Sequence, residues 1–206
     1  MNCAAVILAA GYSRRMGRTD KLLLPVCGEP MYRRAIRLAC VCGLFSTVVV
    51  VTNREEIAAF ARQSGAQPVQ NPRAAQGIGT SVAAGCAALP EHMEFCAFLT
   101  ADQPFLTVDI LCKLVQAACR NDAIAVPRVD SRPKSPCVFP ARFFGQCKAL
   151  SADQGGKGIY REHLDEVVWV EFADGPAWRD IDTERDYSAA MSGTGPEKQD
   201  AAHGMP

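Results

Sequence analysis

Neither sign of charge is in excess in this chain: 22 Lys and Arg balance 22 Asp and Glu. A formal net charge of zero provides no global pull toward nucleic acid or an anionic membrane. Any phosphate bound here must therefore meet a local cluster of bases. No apolar run approaches the roughly 18 residues of a membrane span, and no basic segment precedes the first apolar stretch. The expectation is a cytoplasmic chain with no membrane span, no signal peptide and no nucleic-acid partner. Histidine is scarce: His92, His163 and His203 stand far apart without ligand spacing. Ten cysteines are present, but none forms a C-x-x-C pair, and most sit inside apolar patterns such as Phe95-Cys96-Ala97-Phe98. Buried, reduced thiols fit that scatter better than a zinc or disulfide framework. The Walker sequence is missing, and G-x-G-x-x-G is absent from the first turn, which argues against ordinary ATP hydrolysis.

What is present is a core-forming α/β pattern. Hydrophobic residues make up 49% of the 206, enough for one large domain. Thr47–Val51 is a run of β-branched residues that reads as a buried parallel strand. Thr52 and Glu55 have capping-box spacing ahead of a helix carrying Ile57, Phe60 and Ala61 on one face. Helices are also expected over 32–42, 82–89 and 142–150, and after Thr107, where Ile110, Leu111, Leu114, Val115 and Ala118 form a stripe. Further strands are expected at 4–8, 67–69, 95–100, 123–126, 136–139 and 166–172, with a polar loop over 129–135. Strands alternating with amphipathic helices predict a mostly parallel sheet covered on both faces, a three-layer Rossmann-like α/β domain over 1–191. The segment 192–206, opening with Ser-Gly-Thr-Gly-Pro, reads as a disordered tail.

Chemistry concentrates where strands end. The first strand runs into Leu8-Ala9-Ala10-Gly11-Tyr12-Ser13-Arg14-Arg15-Met16-Gly17, with Lys21 just beyond. Small residues after a buried strand let backbone N–H groups approach a phosphate, and Arg15 and Lys21 can add positive charge. Gln76-Gly77-Ile78-Gly79-Thr80-Ser81 opens a helix and is a second such turn, or simply a helix cap. Asp102 ends the strand Phe95–Thr100, where open α/β sheets bind ligands. It suits Mg²⁺, which takes one or two carboxylates together with phosphate oxygens and water; the other reading is a turn before Pro104. Thr183 and Asp186 have capping-box spacing, so Asp180 and Asp182 are either solvated carboxylates at a helix N-terminus or, for Asp182, a second metal ligand.

The string Leu-Ala-Ala-Gly-x-Ser-x-Arg-Met-Gly, followed by Lys21, resembles the nucleotide-binding loop of the MobA-like nucleotidyltransferases. It is most similar to the molybdenum cofactor cytidylyltransferases. The resemblance implies a nucleotide site built from Leu8, Ala9, Ala10, Gly11, Ser13, Arg15 and Lys21, with Asn71, Gly77, Gly79 and Ser81 around base and ribose. It implies Arg15, Lys21 and Asp102 as the catalytic groups, and Asp102 with Asp182 as Mg²⁺ ligands. Lys134-Ser135-Pro136 stands where relatives usually carry Gly-His-Pro or Gly-Asn-Pro, and Ala152-Asp153-Gln154-Gly155 where they carry Gly-Asp-x-Gly. By the same resemblance Lys134, Ser135, Asp153, Gly155 and Lys157 would contact the acceptor and its phosphate. The implied reaction joins CMP from CTP to the phosphate of molybdopterin and releases pyrophosphate, with a molybdenum hydroxylase as the recipient of the product. A guanylyl or sugar-phosphate transferase of the same fold, or a non-catalytic cofactor chaperone, are the alternatives. Ala10, where guanylyl enzymes tend to carry glycine, favours the smaller base.

Overall fold

The computed structural model describes residues 2–11 and 20–192. Ser13, Arg15 and the tail from 193 onward lie outside the described residues.

The centre is β1 (Cys3–Leu8), hydrogen-bonded in parallel to β4 (Thr47–Val51) on one side and β6 (Phe95–Thr100) on the other. Beyond β4 lies β5 (Gln67–Val69), also parallel. Beyond β6 come β9 (Cys137–Pro140), β7 (Ile124–Val129) and β10 (Val167–Phe172), giving the order β10-β7-β9-β6-β1-β4-β5. Only β9 runs against the rest of this path. A short hairpin, β2 (Pro25–Val26) with β3 (Glu29–Pro30), stands apart from the main sheet.

The period-2 alternation of β1 explains the three layers. Cys3, Ala5 and Ile7 face one core, shared with α1 (Met31–Val41), α2 (Glu55–Gln63) and α4 (Val108–Asn121). Ala4 and Val6 face the other, shared with α3 (Ile78–Ala87), α5 (Phe144–Ala149) and α6 (Gly156–Glu162). Both faces being covered, the central strands read as unbroken apolar runs. The chain leaves β1 toward β4 and later returns to β6 on its other flank. The C-terminal ends of β1 and β6 therefore form the crevice of a topological switch point.

Three local expectations change. Thr52 and Glu55 do not form a capping box: Glu55 is the first residue of α2, Arg54 is its N-cap, and the Thr52 hydroxyl accepts the Arg54 N–H at 3.2 Å. The turn after β4 is thus two residues longer than the motif spacing implies. The loop 129–135 is a hairpin in which β8 (Arg132–Pro133) folds back on β7. Its Asp130 and Ser131 both take positive φ, 48° and 63°, a tight turn made without the glycine that would signal it. Helix α3 begins at Ile78, four residues before the expected start, because its glycines are helical and tightly packed. The segment 156–162, to which the sequence pattern assigns no element, is the helix α6.

Packing of α3 onto the sheet depends on Gly85. A Cβ there would lie 2.3 Å from Val6 Cγ1 and 3.0 Å from Val51 Cγ2. Gly85→Ala is expected to destabilise the domain by about 1–3 kcal/mol from overpacking, more than it gains in helix propensity. Urea unfolding measures this. Val6→Ala should then cost less in the Gly85→Ala background than alone, and equal costs would mean the contact with Val6 is not the cause.

Candidate active site

At the switch point three distant segments meet on one ammonium. Asp20 caps a 3-10 turn, Lys21–Leu23, by accepting the Leu22 N–H at 3.2 Å. That turn points Lys21 Nζ to within 2.7 Å of Asp102 Oδ2 and 2.6 Å of Asp182 Oδ1. The Lys21 side chain is 14% exposed and that of Asp102 20%. Burial alone would push the Lys21 amine down, but the charge of Asp102 and the hydrogen bonds it donates to both carboxylates outweigh it, and its pKa is raised.

The C-terminal segment reaches this point by a backbone bond: Ile181 N–H donates to the Asp102 carbonyl at 3.1 Å. Ile181 is buried in a small cluster with Val26, Met31 and Phe105, so its neighbours Asp180 and Asp182 flank the end of β6. Beyond them Thr183 does form a capping box with Asp186 at the start of α7 (Glu184–Met191). Asp186 accepts from the Thr183 hydroxyl and from the Thr183 and Asp182 N–H groups, which holds its carboxyl below the usual range. The cap fixes the turn that carries Asp182.

Asp180 is the residue that the sequence pattern left as a helix-end carboxylate. Crowding of its carboxyl by protein, then the charge of Asp102, pushes its pKa up to about 6, although the residue as a whole is exposed. Gln103 is a second one the pattern did not mark. It is buried and donates its amide N–H to the Ser135 carbonyl at 3.2 Å, tying the β8 loop to the end of β6. The carbonyl can only accept, so the amide nitrogen must face it.

Asp102 Oδ1 is buried and has no hydrogen-bond partner among the described residues. A buried carboxylate oxygen without a partner is costly, and a hard cation satisfies it. The point on which Asp102 and Asp182 converge is taken by the Lys21 ammonium, so Mg²⁺ would sit beside it, on Asp102 Oδ1 and the Asp182 carboxylate, and complete its shell with water and phosphate oxygens.

Two cavities adjoin this cluster and share Leu8, Ile78 and Thr100. One, about 310 Å³, is lined by Ala10, Gly11, Lys21, Gly77, Ser81 and Asp102. The other, about 370 Å³, has Phe98, Phe139 and Tyr160 as walls and Lys134, Ser135 and Lys157 among its polar groups. The structure thus brings together most of the expected nucleotide residues in one cavity. It divides the expected acceptor set: Asp153 lines the first cavity, beside Lys21, while Lys134, Ser135 and Lys157 line the second. Gly155 is the N-cap of α6 and faces Ile78 between the two.

Two nucleotide expectations acquire a structural role instead. Asn71 is buried, and its side chain is consumed by protein: Nδ2 donates to Thr80 Oγ1 at 2.9 Å and Ser81 Oγ at 3.0 Å, and Oδ1 accepts the Arg73 N–H at 3.0 Å. It orients Ser81 rather than reaching the cavity. Gly79 gives its N–H to the Ala152 carbonyl at 2.8 Å, so that donor is not open to a ligand. A Cβ on Gly77, at φ +125°, would lie 2.3 Å from the Ala152 backbone. These glycines let the 151–154 loop dock onto the start of α3.

Comparison with known proteins shows the family and the fold. Residues 5–167 match the MobA-like NTP transferase domain. The chain is 31% identical to the purine catabolism protein PucB of Bacillus subtilis (strain 168) over 192 residues, covering 88% of this chain and 92% of that protein. It is 33% identical to the molybdenum cofactor cytidylyltransferase of Escherichia coli (strain K12) over 136 residues, 65% of this chain and 67% of that one. It is 31% identical to the molybdenum cofactor guanylyltransferase of Cupriavidus metallidurans over 188 residues, 86% and 89% of the two chains. Among solved structures, Rv0371c of Mycobacterium tuberculosis H37Rv superposes with a TM-score of 0.77 at 22% identity, covering 92% of this chain and 97% of that one.

The raised Asp180 pKa has a stability consequence. Its carboxyl titrates near 3.8 when unfolded and near 6 when folded, so the folded state holds the proton more tightly. That contribution is fully present below about pH 3.8 and is lost as pH rises through about 6. In chelator-containing buffer, urea midpoints of Asp180→Asn should therefore gain on the wild type as pH rises from 4 to 7. A constant difference across that range would show that Asp180 titrates normally.

Proposed function

Because the chain belongs to the MobA-like NTP transferase family, we propose that this nucleotidyltransferase uses CTP and transfers CMP to the terminal phosphate of a molybdopterin-type acceptor. The observation that carries the reading is the pair of adjoining cavities with the Lys21 cluster at the nucleotide side of their junction. Phosphoryl-type transfer needs little covalent chemistry from the protein; positioning and charge neutralisation supply the catalysis. An oxygen of the acceptor phosphate attacks the α-phosphorus of CTP. The bond from that phosphorus to the bridging oxygen breaks, and pyrophosphate leaves with the electron pair.

Lys21 lies where negative charge grows on the leaving group, and its raised pKa keeps it cationic throughout. Asp102 and Asp182 would hold Mg²⁺, which when bound would offset triphosphate charge. Leu8, Ala10 and Gly11 would flank the nucleotide together with Ser81 and Asp153. The aromatic walls of the second cavity suit a flat heterocycle, and Lys134 and Lys157 suit its phosphate. Arg15, from the resemblance, would add charge at the triphosphate.

CTP is preferred to GTP because Ala10 is almost wholly buried, at 2% exposed, and lines the nucleotide cavity. Its methyl group narrows the space left for a purine. Fit alone discriminates by about 1–3 kcal/mol.

The test is pyrophosphate release with CTP, GTP and ATP, Mg²⁺ and molybdenum cofactor. CTP should give the highest kcat/KM, and Ala10→Gly should shift the ratio toward GTP. Faster turnover of GTP would overturn the base assignment and leave the transferase standing. Lys21→Met should lower kcat with little change in KM, a loss of about 2–4 kcal/mol of transition-state stabilisation. Asp102→Ala should abolish Mg²⁺-dependent turnover with the fold intact by circular dichroism; near-normal turnover would remove Asp102 from the mechanism.

A further inference from the structure

Arg54 belongs to none of the motifs discussed above, yet its guanidinium holds the nucleotide loop at both ends. Its Nη1 donates to the Ala9 carbonyl at 3.0 Å and its Nη2 to the Gly11 carbonyl at 2.8 Å. Its Nε pairs with the Asp20 carboxylate. Ala9 and Gly11 precede, and Asp20 follows, the segment 12–19. One planar fork thus sets the separation of the two points where the main chain enters and leaves that segment.

The fork itself is anchored. Arg54 N–H donates to Thr52 Oγ1 at 3.2 Å, and Thr52 is buried at the end of β4 with its own N–H on the Val69 carbonyl at 2.9 Å. The Arg54 carbonyl accepts the Ala58 N–H at 3.0 Å as α2 begins. Its side chain and that of Asp20 are about one-fifth exposed, 22% and 21%, so the pair is largely shielded from solvent.

Two consequences follow for the site. The carbonyl and N–H of a trans peptide point opposite ways, so drawing the Ala9 carbonyl to Arg54 turns the Ala10 N–H away from it. Asp20, fixed by Arg54, caps the turn that carries Lys21. We propose that Arg54 is a positioning residue for the transferase: through Ala9 and Gly11 it orients the loop backbone, and through Asp20 it places Lys21 between Asp102 and Asp182. A lysine cannot replace it, because an ammonium is a point donor and cannot span two carbonyls and a carboxylate in one plane.

The activity part of this rests on the transferase reading; the loop part does not. The experiment has two arms, with Arg54→Met, Arg54→Lys and Asp20→Asn. The first is hydrogen–deuterium exchange of the ligand-free protein. Peptides covering 4–11 and 20–24 should exchange roughly tenfold faster or more in all three variants, while the 95–100 strand is unchanged. The second is steady-state pyrophosphate release from CTP and acceptor. Arg54→Met should lower kcat by about 10–100-fold, the usual scale for a misplaced catalytic group. Arg54→Lys should keep the wild-type thermal midpoint and show the same kcat loss. In a Lys21→Met background, Arg54→Met should cost less than about threefold more, because residues acting as one unit are not additive. Wild-type exchange in Arg54→Met, wild-type kcat in Arg54→Lys, or losses that multiply with Lys21→Met would each overturn the proposal. If the wild type releases no pyrophosphate from any nucleotide, the transferase reading fails and the exchange arm alone decides the role of Arg54.

Discussion

Lys21 is the hinge of the molecule's chemistry. It is linked to Asp102 across 81 residues of sequence and to Asp182 across 161, so the first loop, the end of β6 and the last segment before α7 are tied to one ammonium. Taking charges out of water costs several kcal/mol per ion unless partners and hydrogen bonds repay it. Here one cation is shared by two carboxylates, and the exposure of Asp182, 39%, leaves one edge of the cluster open. Such an arrangement is poor as a stabilising device. Two carboxylates against one ammonium leave it net negative, a centre that draws a further cation.

The fold prepares that centre. β1 is paired on both sides, β6 is paired with β1 along its whole length, and both are covered on two faces, which steadies their ends. The Ala101 N–H donates to the Leu8 carbonyl at 3.2 Å and the Ala9 N–H to the Val51 carbonyl at 2.8 Å, which holds the exits of the strands together. From there each functional group is carried by a short, capped element: Asp20 for Lys21, the Thr183–Asp186 box for Asp182, and Thr52 with Arg54 for the loop backbone. Side chains held this way need little reorganisation when a ligand arrives.

The second cavity has a different origin. Its floor belongs to the sheet, through Phe98 and Phe139, while its rim comes from the β7–β8 hairpin and α6. Gly156 lets α6 lie against Phe139: a Cβ there would meet the ring at 3.0 Å. The 151–154 loop, docked on Gly77 and Gly79, brings Asp153 to the first cavity. The glycines near the ligand sites thus serve protein–protein packing as much as ligand approach, and the ligand surfaces follow from that packing.

Much of this was legible from residue order alone. The β-branched run Thr47–Val51, the stripe on α4 and the alternation of strands with helices are local patterns set by side-chain period, and they specify a covered, mostly parallel sheet. The Leu8–Gly11 string and Asp102 could be marked because strand ends are where such sheets bind ligands. The Thr183–Asp186 cap was visible because its bonds lie within four residues. Other features required contacts between distant segments. That Asn71 is spent on Thr80 and Ser81, that Asp153 lines the same cavity as Lys21, and that Asp180 is crowded by Asp102 depend on which segments the sheet brings together. The capping-box spacing at Thr52 was misleading for the same reason: tertiary bonds from Arg54 to Ala9, Gly11 and Asp20 drew the helix start two residues on, and a local motif has no means of registering them. Residue order determined the layers and the strand ends; long-range hydrogen bonds and ion pairs decided which side chains meet there, because their energy depends on neighbours that lie far off in sequence.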